Sequence, residues 1–313
     1  MKHERIALHD GRDDVTLTTY VLDDSPELLD GRARPAVLIL PGGAYMGCSD
    51  REAEPVALAF AALGYHAFVL RYSVYGAGGP LDWNVDARAM EPRAHSVFPN
   101  PLIDVALAMK HIRSRAAEWL VDADRIAVAG FSAGGHNAGM YGTRWHDALV
   151  TEAVDATPDE LRPAALIMGY ALSDYRFQHA RLDAMPPAER AVREMAAVAY
   201  FGEIDPAPEL LDAASPALHV SAQTPPTFLW HTVADALVPV EHSLRFASAC
   251  AAHGVPFELH AFEAGQHGLS LATRATASAE PMIDDDAAHW VPLAAAWLAK
   301  RFSVELPAAM PWD

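Results

Sequence analysis

Short, fully apolar runs alternating with stretches of helical period constrain this chain more than any other feature. Ala36-Val37-Leu38-Ile39-Leu40 is apolar at every position and stops at Pro41-Gly42-Gly43, so it reads as a strand buried on both faces that ends in a backbone-flexible loop. Val56, Phe60 and Leu63 follow at helical spacing, closed by Gly64, and strand character returns from His66 to Val74. The pattern continues with a helix from Pro101 to Leu120, a strand from Arg125 to Ala129, a helix after Ser132, and strands from Ala164 to Ala171 and Thr227 to His231. A helix from Glu241 to His253, a strand from Pro256 to Phe262 and a helix from Trp290 to Arg301 complete it. Such alternation implies a mostly parallel central sheet with helices on both faces, in which ligands sit at the carboxyl ends of the strands. Two β-type runs near the start, around Ile6-Ala7-Leu8 and from Val15 to Leu22, read as an edge hairpin.

Two stretches break the rhythm: residues 75–99, rich in Gly, Pro and aromatic residues, and residues 175–225, where a helical run from Pro187 to Tyr200 is set among many Pro and Ala. Loops of this length usually serve function rather than connection, so both read as lid-like insertions or substrate loops. The 313 residues would suit two domains by length alone. No repeat, low-complexity tract or Gly/Ser linker divides them, however, and a single domain over residues 1–313 is expected.

Composition narrows the partners. The 23 Lys and Arg against 41 Asp and Glu leave a net charge of −18, which argues against nucleic acid and anionic membrane surfaces. It also disfavours strongly anionic substrates unless a local basic pocket overrides the field. Cys48 and Cys250 form neither a disulfide framework nor a zinc cluster. The first residues carry no apolar leader core, and no apolar run approaches the roughly 20 residues of a membrane span, so a cytoplasmic location is expected.

The chemistry centres on Gly130-Phe131-Ser132-Ala133-Gly134, a G-x-S-x-G pattern directly after the apolar strand and directly before a helix. In that context the serine occupies a sharp turn that only small flanking residues permit, a nucleophile elbow. The amide of Ala133 then lies at a helix N-terminus, where it can donate to an oxyanion. A serine hydroxyl needs a base and an orienting acid, expected in the chain order Ser, acid, His. Of 15 histidines, His267 is best placed, just past the last predicted strand. His231 and His260 read as strand histidines, and His136, four residues after Ser132, reads as a local hydrogen-bonding partner. Asp235, on the loop after the strand Thr227–His231, is the expected acid, with Asp174 one strand earlier as the alternative. Pro41-Gly42-Gly43-Ala44-Tyr45 ends another strand at the same sheet edge, so the amides of Gly43 and Ala44 join that of Ala133 as candidate oxyanion donors.

These pieces resemble the α/β-hydrolases, and within them bacterial carboxylesterases akin to acetyl xylan and feruloyl esterases. The resemblance rests on Pro41-Gly42-Gly43-Ala44-Tyr45, Ser49-Asp50-Arg51-Glu52-Ala53-Glu54-Pro55, Leu70-Arg71-Tyr72, Gly130-Phe131-Ser132-Ala133-Gly134-Gly135-His136, Asp235 with Val238-Pro239, and His267. It spans roughly residues 35–303 and implies an α/β-hydrolase fold acting on short-chain, acetyl-type esters, acetylated sugars or xylo-oligosaccharides among them. Pro41 stands where lipase-like relatives begin this loop with His, and Ala44 where the esterase subgroup has a third Gly.

Tyr45, Trp83, Phe98 and Tyr170 are candidate walls of a substrate pocket, since apolar surfaces suit esters. Ser49 to Glu52 reads as a helix capping box. No metal-ligand or dinucleotide motif is present, so no cofactor and no metal are expected. The expected partner is a small-molecule ester, and whether copies of the chain associate into a homo-oligomer stays open. Two other readings remain: a small-amide hydrolase or peptidase on the same triad, and a non-catalytic ligand-binding protein on a hydrolase fold.

Overall fold

In the computed structural model, which describes residues 1–79 and 83–303, the apolar runs pair into one eight-stranded sheet. Its strands are β1 (Arg5–His9), β2 (Arg12–Tyr20), β3 (Arg34–Leu40), β4 (His66–Arg71), β5 (Val121–Phe131), β6 (Ala165–Gly169), β7 (Thr227–Thr232) and β8 (Phe257–Phe262). They lie in the order β1-β2-β4-β3-β5-β6-β7-β8. The β1–β2 and β2–β4 pairs are antiparallel, and all others are parallel. The predicted edge hairpin is therefore present, and the mostly parallel sheet follows from the buried strands behind it.

Side chains alternating along the central strands feed two cores. Leu38 and Leu40 of β3, with Ile126 and Val128 of β5, point to one face; Val37 and Ile39, with Ala127 and Ala129, point to the other. The first face is covered by α2 (Asn100–Ser114) and α3 (Ala133–Arg144), through Leu102, Val105, Met109 and Met140. The second is covered by α1 (Glu54–Ala62) and, near the C-terminus, by the helix Trp290–Phe302, through Val56, Phe60, Trp290 and Trp297. These side chains are almost fully buried. Burying each is worth about 1.5–3 kcal/mol relative to exposure, which is why both strand faces had to be apolar.

The helix predicted from Pro101 to Leu120 is broken at Arg115 (φ −105°), where α2 gives way to a short turn, Ala116–Trp119, that carries Trp119 into the core. The second insertion folds around α4 (Pro187–Phe201), ended by Gly202 at φ +81°, and α5 (Glu241–Ala252) follows β7; the helix Trp290–Phe302 is α6. The first insertion is fastened to α4, because Ser96 Oγ donates to Ala199 O (2.9 Å) and Phe98 N–H donates to Tyr200 O (2.7 Å). Residues 80–82 of that insertion, and 304–313 at the end of the expected domain, lie outside the described residues.

Candidate active site

The strand β5 and the helix α3 meet at Ser132, which sits at φ +52°, ψ −120°, a conformation rarely adopted by residues with a Cβ and costing about 1–3 kcal/mol. The neighbouring glycines explain how the turn closes. A Cβ at Gly130 would lie 2.1 Å from Gly134 O, and one at Gly134 would lie 2.0 Å from Leu40 O. The turn holds its shape because Ser132 N–H donates to Gly169 O (3.0 Å) and Ser132 O accepts from His136 N–H (2.8 Å).

Ser132 Oγ–H donates to His267 Nε2 at 2.8 Å, and His267 Nδ1–H donates to Asp235 Oδ2 at 2.7 Å. Asp235 Oδ1 accepts the amides of Leu237 (3.0 Å) and Val238 (2.8 Å), so the carboxylate is fixed on all sides. Burial alone would push its carboxyl up, but the imidazoles of His267 and His231 outweigh burial and hold it well below the usual carboxylate range. The structure thus brings Ser132, His267 and Asp235 into one hydrogen-bonded line across 135 residues of sequence. Asp174 is elsewhere engaged: it caps the short helix Tyr175–His179 by accepting from Phe177 N–H (2.8 Å), and it pairs with Arg245 (3.1 Å). His260 pairs with Glu258 (2.9 Å).

After β3 the loop turns through three successive positive φ values, Gly43 (+135°), Ala44 (+53°) and Tyr45 (+58°). The two residues with side chains each carry roughly 1 kcal/mol of strain. Ala44 and Ala133 both line the small cavity above Ser132, about 20 Å³ in volume, whereas Gly43 does not. Among the described residues, no backbone hydrogen bond occupies the amides of Gly43 or Ala44. The amide of Ala133, the first residue of α3, has no helical carbonyl a turn behind it.

Of the candidate pocket aromatics, Tyr45 lines the cavity and the other three do not. Trp83 is exposed to solvent, and Phe98 packs on Tyr200 (ring centroids 5.8 Å apart). Tyr170 is buried behind His267, meeting it edge to face at 5.1 Å. His136 is a wall rather than a reacting group: its Nε2–H donates to Ala214 O (2.7 Å) and its Nδ1 accepts from the Tyr45 hydroxyl (2.5 Å). Burial pushes its pKa down to about 4.

Three contributors were not legible in the sequence. The capping-box expectation at Ser49–Glu52 fails, since the Ser49 side chain makes no capping hydrogen bond. The Glu52 carboxylate instead turns inward, accepting Gly42 N–H at 2.7 Å and the Tyr170 hydroxyl at 2.6 Å, while Tyr170 also accepts Ser270 N–H at 2.9 Å. Glu52 therefore braces the Gly42–Tyr45 loop against the segment that carries His267. His231, buried, donates from Nε2 to Val238 O (2.7 Å) and lies 3.5 Å from Asp235 Oδ2. Arg193 reaches the cavity from α4. In the chain Glu52 lies 118 residues from Tyr170 and Arg193 lies 44 from Leu237, and a single sequence carries no signal for such contacts. Among the described residues, no three His, Cys, Asp or Glu side chains cluster as metal ligands would, and no helix is long and apolar enough to cross a membrane.

An eight-stranded, mostly parallel sheet flanked by helices, with a serine on a sharp turn at its carboxyl edge, defines an α/β-hydrolase. The BD-FAE family model matches residues 83–250, more than half of the chain, and the chain belongs to that family. The acetyl ester-xyloside bifunctional hydrolase of Caldicellulosiruptor lactoaceticus is 32% identical, with 95% of this chain and 96% of that one covered at a TM-score of 0.70. The carboxylesterase Cest-2923 of Lactobacillus plantarum WCFS1 is 28% identical, with 98% and 100% covered at a TM-score of 0.76. Endo-1,4-beta-xylanase B of Butyrivibrio fibrisolvens is 30% identical over 78% of this chain. The chain spans 34% of that protein and 47% of the esterase LipQ of Mycobacterium tuberculosis, so it is similar to parts of longer proteins there. The relatives that carry an activity in their names are hydrolases, esterases among them.

Proposed function

We propose that the protein is a serine esterase that hydrolyses short-chain carboxylic esters through an acyl-Ser132 intermediate. The continuous hydrogen-bonded line from Ser132 Oγ through His267 to Asp235 carries this reading. Ser132 Oγ attacks the ester carbonyl while His267 Nε2 takes its proton; the C–O bond to the alcohol then breaks, and His267 returns the proton to the departing oxygen. Water repeats the sequence on the acyl-enzyme, giving the free acid and restoring Ser132. Asp235 fixes the His267 tautomer and balances the imidazolium that forms in each half-reaction. The amides of Ala44 and Ala133, with Gly43 beside them, hold the developing oxyanion, each such donor being worth about 10²–10³ in kcat.

A cavity of about 20 Å³ has room for little more than one water-sized group, which favours an acetyl group over longer acyl chains. The names of the Caldicellulosiruptor and Butyrivibrio relatives support acetylated sugars or xylo-oligosaccharides as the substrate class. The test is hydrolysis of p-nitrophenyl esters from acetate to octanoate by wild type and Ser132→Ala. Acetate preference with activity abolished in the variant is expected; undiminished activity in Ser132→Ala would overturn the mechanism.

A further inference from the structure

We propose that Arg193 makes this hydrolase selective for esters that bear a carboxylate close to the scissile bond. The proposal rests on the reading of Ser132 as nucleophile and adds a substrate class to it. Arg193 projects from α4 into the wall of the cavity that holds Ser132. Its Nη2–H donates to Leu237 O at 2.7 Å, on the loop that carries Asp235. Its Nε is buried with no hydrogen-bond partner, and among the described residues no carboxylate lies within ion-pairing distance of it.

The nearby acids are committed elsewhere. Glu194 pairs with Arg190 (2.9 Å), and Asp235 holds His267 together with two backbone amides. His136 and Tyr45 at this wall are also satisfied: both ring nitrogens of His136 are bonded, and the Tyr45 hydroxyl donates to one of them. Arg193 is thus a guanidinium whose fork is largely unfilled beside the reacting serine. It stays charged although burial works against the charge, and Asp235, the nearby carboxylate that favours it, is already taken by His267. A substrate carboxylate matches the fork in geometry and supplies a counter-charge.

The overall charge of −18 repels anions at long range, so any preference for them must come from a local cation such as this one. Arg193, Tyr175 and Ala196 also wall a neighbouring cavity of about 30 Å³, so the anionic group must be compact. The carboxylate can belong to the alcohol part, as in an acylated hydroxy acid, which leaves an acetyl group at Ser132, or to the acid part, as in a half-ester of a dicarboxylic acid, whose longer acyl chain then has to extend past the Ser132 cavity into the neighbouring one that Arg193 also walls.

Initial rates on isosteric pairs separate these sources: ethyl hydrogen succinate against ethyl 4-methylpentanoate for the acid side, and acetoxyacetate against isobutyl acetate for the alcohol side. In wild type, one anionic ester is expected to exceed its neutral isostere in kcat/KM by about tenfold or more. Arg193→Gln should lower that anionic-to-neutral ratio by on the order of 10–100-fold, mainly through KM, as expected for loss of a charge-assisted hydrogen bond. Arg193→Lys should retain part of it. The pair that responds identifies the side that carries the carboxylate. Neutral preference in both wild-type pairs overturns the proposal without any variant. So does an equal fall of both members in Arg193→Gln, which would leave Arg193 only its anchor to Leu237. Ser132→Ala on the neutral esters is the separate control: activity surviving there rejects the nucleophile rather than the role of Arg193.

Discussion

Replacing Glu52 by Gln tests whether the brace between the Gly42–Tyr45 loop and Tyr170 positions the reacting groups or merely stabilises the fold. The carboxylate accepts two hydrogen bonds, from Gly42 N–H and from the Tyr170 hydroxyl. Glutamine has one oxygen and an NH₂, so one of the two donors must face another donor. Tyr170 can turn its hydroxyl to accept, but then it has no acceptor for its own proton. A lost hydrogen bond to a carboxylate costs about 1.5–3 kcal/mol. With about 2.1 cal/mol/K of unfolding entropy per residue, a chain of 313 residues would lose roughly 2–5 °C in Tm. The catalytic effect is expected to be larger than that shift suggests, because Gly42 directly precedes the candidate oxyanion donors and a displaced donor is felt only where charge develops. We expect kcat for p-nitrophenyl acetate to fall about 10–100-fold with KM little changed, a fraction of the loss for deleting a donor outright. Scanning calorimetry and steady-state kinetics on the same preparation decide the matter. A lower Tm with wild-type kcat would refute the positioning role and leave Glu52 a structural residue.

Acidification should expose the cost of keeping His136 neutral. Burial, opposed by its hydrogen bond to Ala214 O and aided by Arg193, holds it at about 4 against an ordinary value of 6.5. Between those pH values the unfolded chain binds the extra proton, so stability falls by about 3 kcal/mol as pH drops through that window and recovers above it; urea midpoints against pH should follow, and an equal slope in His136→Gln would contradict the assignment. His66, also pushed down to about 4 by burial, adds to the same acid limb. Asp235→Asn should lower kcat by about 10³–10⁴, because its oxygen must still accept the amides of Leu237 and Val238 and the NH₂ is left to face His267 Nδ1; a loss below tenfold would count against Asp235 as the orienting acid. Gly134→Ala places a Cβ 2.0 Å from Leu40 O and 2.4 Å from Pro41 O and should abolish stable folding. Gly11→Ala, with open space around it at φ +74°, should cost only about 1 kcal/mol; comparable Tm losses in the two variants would refute the steric account of the elbow.

What could be read from the sequence divides along a physical line. Wherever a requirement acts within a few residues, it left a mark: a strand buried on both faces must be apolar throughout, as Ala36–Leu40 is, and a serine at φ +52° needs glycines where a Cβ would strike backbone. His267 and Asp235 were located by the same logic, since strand ends at one sheet edge converge whatever lies between them. Glu52 and Arg193 obey no local rule, while His231, in a strand buried throughout, reads like any packed strand histidine. Glu52 meets Tyr170 across 118 residues and Arg193 meets Leu237 across 44, and the neighbours of each in sequence are those of any solvated charge. Of the four pocket aromatics only Tyr45 lines the cavity, and sequence could not separate it from Tyr170, which packs behind the site, because an aromatic side chain serves a core as readily as a cavity and both are buried. Chemistry common to the fold is therefore written in local patterns, whereas what would distinguish one substrate from another depends on residues such as Arg193 that the insertions bring to the site from a distance. The isosteric ester pairs probe that second kind of information directly, which is why they and the Ser132→Ala series answer different questions about the same cavity.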